Sequence, residues 1–184
     1  LKMVTELLDF QKVEQSAEQV RLQDIELPML LRVQLEKFVL AAQEKHIQLC
    51  IETCPQQQIH SDVKMMDLIL ENLLSNAIKY TPQGGKVTLS ASVEGKMAMI
   101  HVCDTGIGIP KAEIKSIFKT FFRASNAINS QEMGSGLGLM LTRKLVEKLG
   151  GKLSFVSEEG KGTTFCVKMP LGNVIDSSVL LVEE

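Results

Sequence analysis

The 184-residue chain contains no tryptophan and a single tyrosine. It lacks any apolar run near the roughly 18 residues that span a bilayer, and its start lacks a signal-peptide pattern. Neither sign of charge dominates. The 20 Lys and Arg against 22 Asp and Glu leave a net charge of −2, which gives no general affinity for nucleic acid or anionic lipid. The four cysteines do not make a metal framework. Cys50 and Cys54 have CxxxC spacing, but no second Cys or His pair completes a zinc site, and His46, His60 and His101 are not spaced as ligands. Cys103 and Cys166 fall in apolar strand-like runs, where a reduced cytosolic thiol serves as a small hydrophobe. The length suffices for one sizeable domain plus an appendage. It begins at Leu1 rather than Met, as expected of a fragment of a longer protein.

Periodicity divides the chain into alternating elements. Residues 1–17 read as an amphipathic helix, with Leu1, Val4 and Leu8 spaced to form a seam with a partner helix, or to pack on the same domain. Residues 20–27 alternate like a short strand, and Pro28 suits the first turn of a helix running to about Glu44. A strand is expected at 47–53 and a brief extended piece at 58–60. Ser61 or Asp62 can cap a helix that stops at Tyr80, before Pro82. Residues 86–93 and 97–103 read as paired strands, and 104–135 as a long connection with one short helix at 111–118. A helix at 136–149, halted by Gly150 and Gly151, precedes a hairpin of 152–157 and 163–169. Helices interleaved with mainly antiparallel strands predict one mixed sheet with helices on one face.

Four motifs follow in order: Asn-Leu-Leu-Ser-Asn-Ala-Ile-Lys-Tyr at 72–80, Asp-Thr-Gly-Ile-Gly at 104–108, Gly-Ser-Gly-Leu-Gly-Leu at 134–139 and Gly-Lys-Gly-Thr-Thr-Phe at 160–165. Asn72, Asn76 and Tyr80 share one helix face, with Lys79 beside them and Met66, Ile69, Leu70, Leu73, Leu74 and Ala77 opposite. Carboxamide oxygens suit a hard cation such as Mg²⁺ that keeps its phosphate ligands. Lys79 offers phosphate a point charge, and the Tyr80 ring can flank a purine or ribose. Asp104, at a strand end, can accept a hydrogen bond from the exocyclic amine of adenine, while Gly106 and Gly108 permit close backbone approach.

Gly134, Gly136 and Gly138 precede a helix and uncover backbone N–H groups at its positive end, a phosphate site. Their spacing is neither GxGxxG nor a P-loop. Gly160 and Gly162 read either as a hairpin turn or as a close approach to nucleotide, with Thr163 as a polar contact. Phe118, Phe121 and Phe122 suggest a latch for a mobile lid, or ordinary packing for Phe118 and Phe122. Arg123 is a candidate phosphate contact.

Together these residues resemble the catalytic, ATP-binding domain of sensor histidine kinases, within the gyrase, heat-shock-chaperone, histidine kinase and mismatch-repair ATPase superfamily. Residues 72–82 are similar to the asparagine box, 104–108 and 134–139 to the two glycine boxes, 118–123 to the phenylalanine box and 160–165 to a third small box. The resemblance covers about 19–170 and implies an α+β fold, a two-layer α/β sandwich of the Bergerat type. It implies a lid over about 106–136 and ATP with Mg²⁺ as cofactors, the metal held by Asn76 with Asn72. Asn72, Asn76 and Lys79 would form the catalytic centre. ATP contacts would come from Asn76, Lys79, Tyr80, Asp104, Gly106, Ile107 and Gly108, and from Phe121, Arg123, Gly134, Gly136, Leu137, Gly138 and Thr163.

Residues 1–18 resemble the end of the family's dimerisation and phosphoacceptor helix, an N-terminal stem helix. None of the three histidines has the acidic follower of a phosphoacceptor, so the acceptor is expected on an upstream helical hairpin of a homodimeric parent. This chain alone is expected to bind ATP without autophosphorylating. In the 171–184 tail, residues 179–184 resemble the first strand of a receiver domain, as in a hybrid kinase, or form a linker. The implied partners are that hairpin domain and a response regulator or fused receiver, with no nucleic acid. The implied setting is a cytoplasmic domain, its parent an inner-membrane sensor in some members.

Two other functions fit parts of the pattern. ATP-hydrolysing clamps of the same superfamily place a glutamate base four residues before the metal-binding Asn, where this chain has Asn72. Glu71 lies about 100° round the helix and should not reach the same water. A non-catalytic nucleotide sensor or degenerate module would not need intact metal and phosphate motifs.

Overall fold

Seven apolar side chains (Met66, Ile69, Leu70, Leu73, Leu74, Ala77 and Ile78) form the buried stripe of the central helix, α2 (Val63–Tyr80), which carries the first motif. Each fully buried large side chain there contributes roughly 1.5–3 kcal/mol. An asparagine costs a helix at most about 0.7 kcal/mol relative to alanine. Burial of the apolar stripe therefore decides the helix, and the amides opposite are carried along. The Asp62 carboxylate caps its start by accepting from the Met65 N–H at 3.1 Å. At its end the Thr81 hydroxyl donates to the Ala77 carbonyl, and the Lys45 ammonium donates to the carbonyls of Ile78 and Lys79 at 3.1 and 2.8 Å. A cation on those carbonyls also complements the helix dipole.

The computed structural model describes residues 20–129 and 134–171. The expected stem helix and the tail beyond 171 lie outside the described residues. In chain order the other elements are β1 (Gln23–Glu26), α1 (Leu27–Glu44), β2 (Gln48–Ile51), β3 (Gln58–Ser61), β4 (Lys86–Glu94) and β5 (Met97–Asp104). After them come α3 (Ser125–Asn129), α4 (Gly138–Lys148), β6 (Lys152–Glu158) and β7 (Gly162–Pro170). Strands β2-β4-β5-β7-β6 form one five-stranded sheet, parallel between β2 and β4 and antiparallel elsewhere. Helices α1, α2 and α4 pack on one of its faces, with α2 between the other two. This is the expected two-layer α+β sandwich.

Strand β5 shows how the sheet places chemistry. Its side chains alternate strictly, with Ala98, Ile100, Val102 and Asp104 buried toward the helices. Period two therefore carries a carboxylate to the core side at the strand's last residue. Register sets Asp104 between Val87 of β4 and Thr163 of β7.

Three details differ from the sequence expectation. The helix expected at 111–118 is only a short 3-10 turn (Ile114–Ser116), and the helical segment of the connection is instead α3. With one short apolar stretch and Pro110 before it, 111–118 has too little periodic surface to nucleate a longer helix. Helix α4 starts at Gly138 rather than Gly136, because Gly136 adopts a φ of +73° that an α-helix excludes. A separate two-stranded sheet pairs β1 with β3, and Leu171 bridges to Ile59 beside it. No helix among the described residues is long and apolar enough to cross a membrane.

Candidate functional site

A cavity of about 770 Å³ opens between α2, α4 and the connection that follows β5. Asn72, Asn76, Lys79 and Tyr80 of α2 line it, with Asp104, Ile107 and Gly108 of the second motif. Arg123, Thr163 and the third-motif residues Gly134, Gly136, Leu137 and Gly138 complete the predicted set on its wall. Two predicted residues are not on the lining. Gly106 sits behind it, donating its N–H to Asp104, while Phe121 points outward, 58% exposed, with a left-handed φ of +60°. Phe122 lines the cavity in its place.

The Asp104 carboxylate is 8% exposed, and its Oδ1 accepts from the N–H groups of Gly106 (2.8 Å) and Thr163 (3.2 Å). With Oδ1 occupied, Oδ2 is the oxygen left to accept from a ligand. Burial pushes this carboxyl up from 3.8 to about 6, and the two N–H donors pull it part of the way back. The glycines around it are dictated by space. A Cβ on Gly106 would come within 2.6 Å of both Asp104 Oδ1 and the Tyr80 carbonyl. A Cβ on Gly162, which has a φ of +116°, would run into the Asp104 carbonyl oxygen. Gly160 occupies the hairpin turn with open space around it. The fourth motif is thus both a turn and a close approach.

Those two glycines separate in a test. Gly160→Ala is expected to cost about 1 kcal/mol, the strain of a left-handed alanine. Gly162→Ala adds a collision with β5 and is expected to cost about 3 kcal/mol or more. Urea denaturation of the two variants measures the difference, and equal losses would remove the close-approach reading of Gly162.

At the other end of the cavity, α4 begins with no side-chain cap and no acidic residue in its first turn. The Leu137 N–H just before it donates to the Ser135 hydroxyl at 3.2 Å, and the N–H groups of its first turn point to the positive end of the helix, framed by the third-motif glycines. The Lys79 ammonium donates to the Tyr80 hydroxyl at 3.0 Å and sits 4.6 Å over that ring. A Cβ on Gly134 would come within 2.7 Å of this ammonium, so the motif closes down on Lys79. Arg123 donates to the Ala127 carbonyl at 3.1 Å.

The connection is tied down at several points. Phe118 meets Phe155 edge-on at 5.7 Å, beneath the Arg143 guanidinium, and both Phe118 and Phe122 pack against the core. Asn126 of α3 donates to the Gly108 carbonyl at 3.0 Å, and Ile109 N–H to the Ser157 hydroxyl at 3.0 Å. Sequence reading missed Asn126 because one asparagine in a polar stretch carries no periodic signal. It also missed Thr142 of α4, whose hydroxyl accepts from Asn72 Nδ2 at 2.7 Å, since the two lie 70 residues apart.

No group of three or more His, Cys, Asp or Glu among the described residues could hold a metal. On α2 the carboxamides of Asn72 and Asn76 line the cavity together with the Ser75 hydroxyl and the Glu71 carboxylate, and the two carboxamides fit a cation sharing its ligands with phosphate. Although helical spacing sets it about 100° from Asn72, Glu71 also reaches the cavity wall, where its carboxylate pairs with Lys37 of α1 at 2.5 Å.

Comparison with known proteins gives the family and the fold. Residues 61–173 match the family described as histidine kinase-, DNA gyrase B-, and HSP90-like ATPase. The chain is similar to sensor histidine kinase WalK of Bacillus subtilis, 32% identical over 92% of this chain and 28% of the relative. In structure it is similar to full-length ShkA in complex with AMPPNP, with a TM-score of 0.80 and 29% identity over 93% of this chain and 35% of that one. It is also similar to histidine kinase ThkA in complex with the response regulator protein TrrA, with a TM-score of 0.74 and 25% identity over 93% of this chain and 47% of that one.

Proposed function

The chain belongs to the family of histidine kinase-, DNA gyrase B-, and HSP90-like ATPases, and from that premise we propose that it is the ATP-binding catalytic domain of a two-component sensor histidine kinase. Its reaction is transfer of the γ-phosphate of ATP to a histidine on a helical hairpin domain of the same, homodimeric parent. From there the phosphate passes to an aspartate of a response regulator or fused receiver. The observation that carries the proposal is one cavity holding a carboxamide face, an uncapped helix start and a buried carboxylate.

Each part has a distinct task. Asp104 Oδ2 accepts from the adenine amine, a donor that guanine lacks at that position. The N–H groups at the start of α4, with Lys79 and Arg123, hold phosphate oxygens. Asn76 and Asn72 hold Mg²⁺, which when bound offsets phosphate charge and orients the transferring group. Catalysis then comes from positioning and electrostatics rather than covalent chemistry by the protein. Hydrolysis is disfavoured because the position four residues before Asn76 is an amide, and Glu71 is engaged by Lys37. We place the domain in the cytoplasm.

Calorimetric titration with ATP, ADP and GTP, with and without Mg²⁺, is the first test, followed by labelled ATP in the presence of the hairpin domain. Adenine-selective, Mg-dependent binding and acid-labile phosphorylation of the hairpin are expected. Steady phosphate release without a phosphoprotein would establish the hydrolase instead. Absence of any nucleotide binding would leave an interaction module.

A further inference from the structure

Thr142 is 1% exposed, a hydroxyl held in the interior of α4 on the side that faces α2. Its Oγ1 accepts from Asn72 Nδ2 at 2.7 Å. On its other side the same carboxamide lies against the backbone of α4, so closely that a Cβ on Gly138 would collide with Asn72 Oδ1. The Asn72 side chain is therefore clasped by two consecutive turns of one helix.

An asparagine amide has two ends of nearly equal size and opposite electrostatic sign. Its oxygen attracts a cation or accepts a proton, while its NH₂ repels a cation. Rotation by about 180° exchanges them at little steric cost, and a hydroxyl can accept from one end or donate to the other, so such a contact fixes where the amide lies rather than which end it shows. Second partners of this kind typically change metal affinity by about 10–100-fold when removed.

We infer that Thr142 is a positioning residue for the metal site: its hydroxyl on one side, with the Gly138 backbone on the other, holds the Asn72 carboxamide at the cavity wall where the cation would bind. The inference rests on the proposed Mg-ATP reading of the same cavity. It also gives α4 a second role, since the helix whose first turn meets the phosphates sets the position of a ligand on α2.

The test uses Thr142→Val, which keeps shape and removes the hydroxyl, and Thr142→Ser, which keeps the hydroxyl. ATP affinity is measured by calorimetry in Mg²⁺ and in EDTA, and Mn²⁺ bound with ATP is followed by electron paramagnetic resonance. Thr142→Val is expected to weaken Mg-ATP binding about 10-fold, leave binding in EDTA unchanged and alter the Mn²⁺ spectrum. Thr142→Ser should restore both. In an Asn72→Ala background the Thr142→Val substitution should have no further effect.

Unchanged Mg-ATP affinity and Mn²⁺ spectrum in Thr142→Val would overturn the inference. So would equal losses with and without Mg²⁺, the pattern of a purely structural role. If Thr142→Val fails to fold, the Thr142→Ala variant is read by the same criteria. A wild-type domain that binds no nucleotide would instead sink the underlying reading, so the two failures are told apart.

Discussion

Asn76→Ala is expected to lower the affinity for Mg-ATP by roughly 100-fold, about 2.7 kcal/mol, while leaving the thermal midpoint unchanged or slightly raised. The asymmetry follows from where Asn76 sits. It lies on the cavity face of α2, opposite the stripe from Met66 to Ile78 that holds the helix in place. Removing its amide takes nothing from that stripe, and alanine is the better helix former by about 0.7 kcal/mol at most. The loss falls on the metal alone, so affinity measured in EDTA should match the wild type. Calorimetry in the two conditions, with a thermal melt of each protein, decides the matter. Unchanged Mg-ATP affinity would remove Asn76 as a ligand, and a lowered melting temperature would mean that the residue serves the fold.

The same division explains what could be read from sequence. Asn72, Asn76, Lys79 and Tyr80 were legible because helical spacing puts them on one face and puts six of the seven buried apolar residues on the other. Asp104 was legible as the polar end of an apolar strand, and the structure adds the strict alternation that buries it and the register that sets Thr163 beside it. The third-motif glycines announce a helix start. What the spacing could not supply was contact between distant segments. The Thr142 hydroxyl on Asn72, the Lys45 ammonium on the carbonyls of Ile78 and Lys79, and Asn126 on Gly108 each join residues 18 to 70 positions apart. Phe121 shows the same limit in a different way. An aromatic run predicts a latch, but only the backbone turn at φ +60° determines that Phe122 faces the cavity and Phe121 faces solvent. The phenylalanine motif is therefore a backbone turn as well as an anchor, with Gly136 packed against its backbone.

Asp104→Asn is expected to do two opposite things: strengthen the ligand-free fold and nearly abolish adenine binding. The carboxyl is held at about 6 in the folded domain against 3.8 for the unfolded chain, with burial as the main cause. The folded state thus keeps its proton more tightly. This group's contribution to stability declines as pH rises from about 4 to about 6, and the cost stays in full above that window. Two pH units correspond to about 3 kcal/mol at most. An uncharged amide avoids this penalty, yet its oxygen accepts more weakly from the N–H groups of Gly106 and Thr163. A net gain of about 1–2 kcal/mol at pH 7 should therefore appear, raising the melting temperature by roughly 2–8 °C. Below pH 4 the two proteins should converge.

Binding runs the other way, because the amide NH₂ would face the donor amine of adenine where Oδ2 had accepted it. An unpaired buried donor on each side should weaken ATP binding roughly 100-fold. In the wild type, affinity should also fall as pH drops below about 6, beyond the fall caused by the nucleotide's own phosphates, which Asp104→Asn shares. Melting curves from pH 4 to 8 and calorimetry at pH 5 and 7.5 test both halves together. A variant that melts lower than wild type at pH 7 would mean that the carboxylate is held for the fold. A variant that binds ATP normally would remove Asp104 from adenine recognition. The expected pair of results, higher stability with lost binding, identifies a charge kept at a cost to the domain because its ligand requires it.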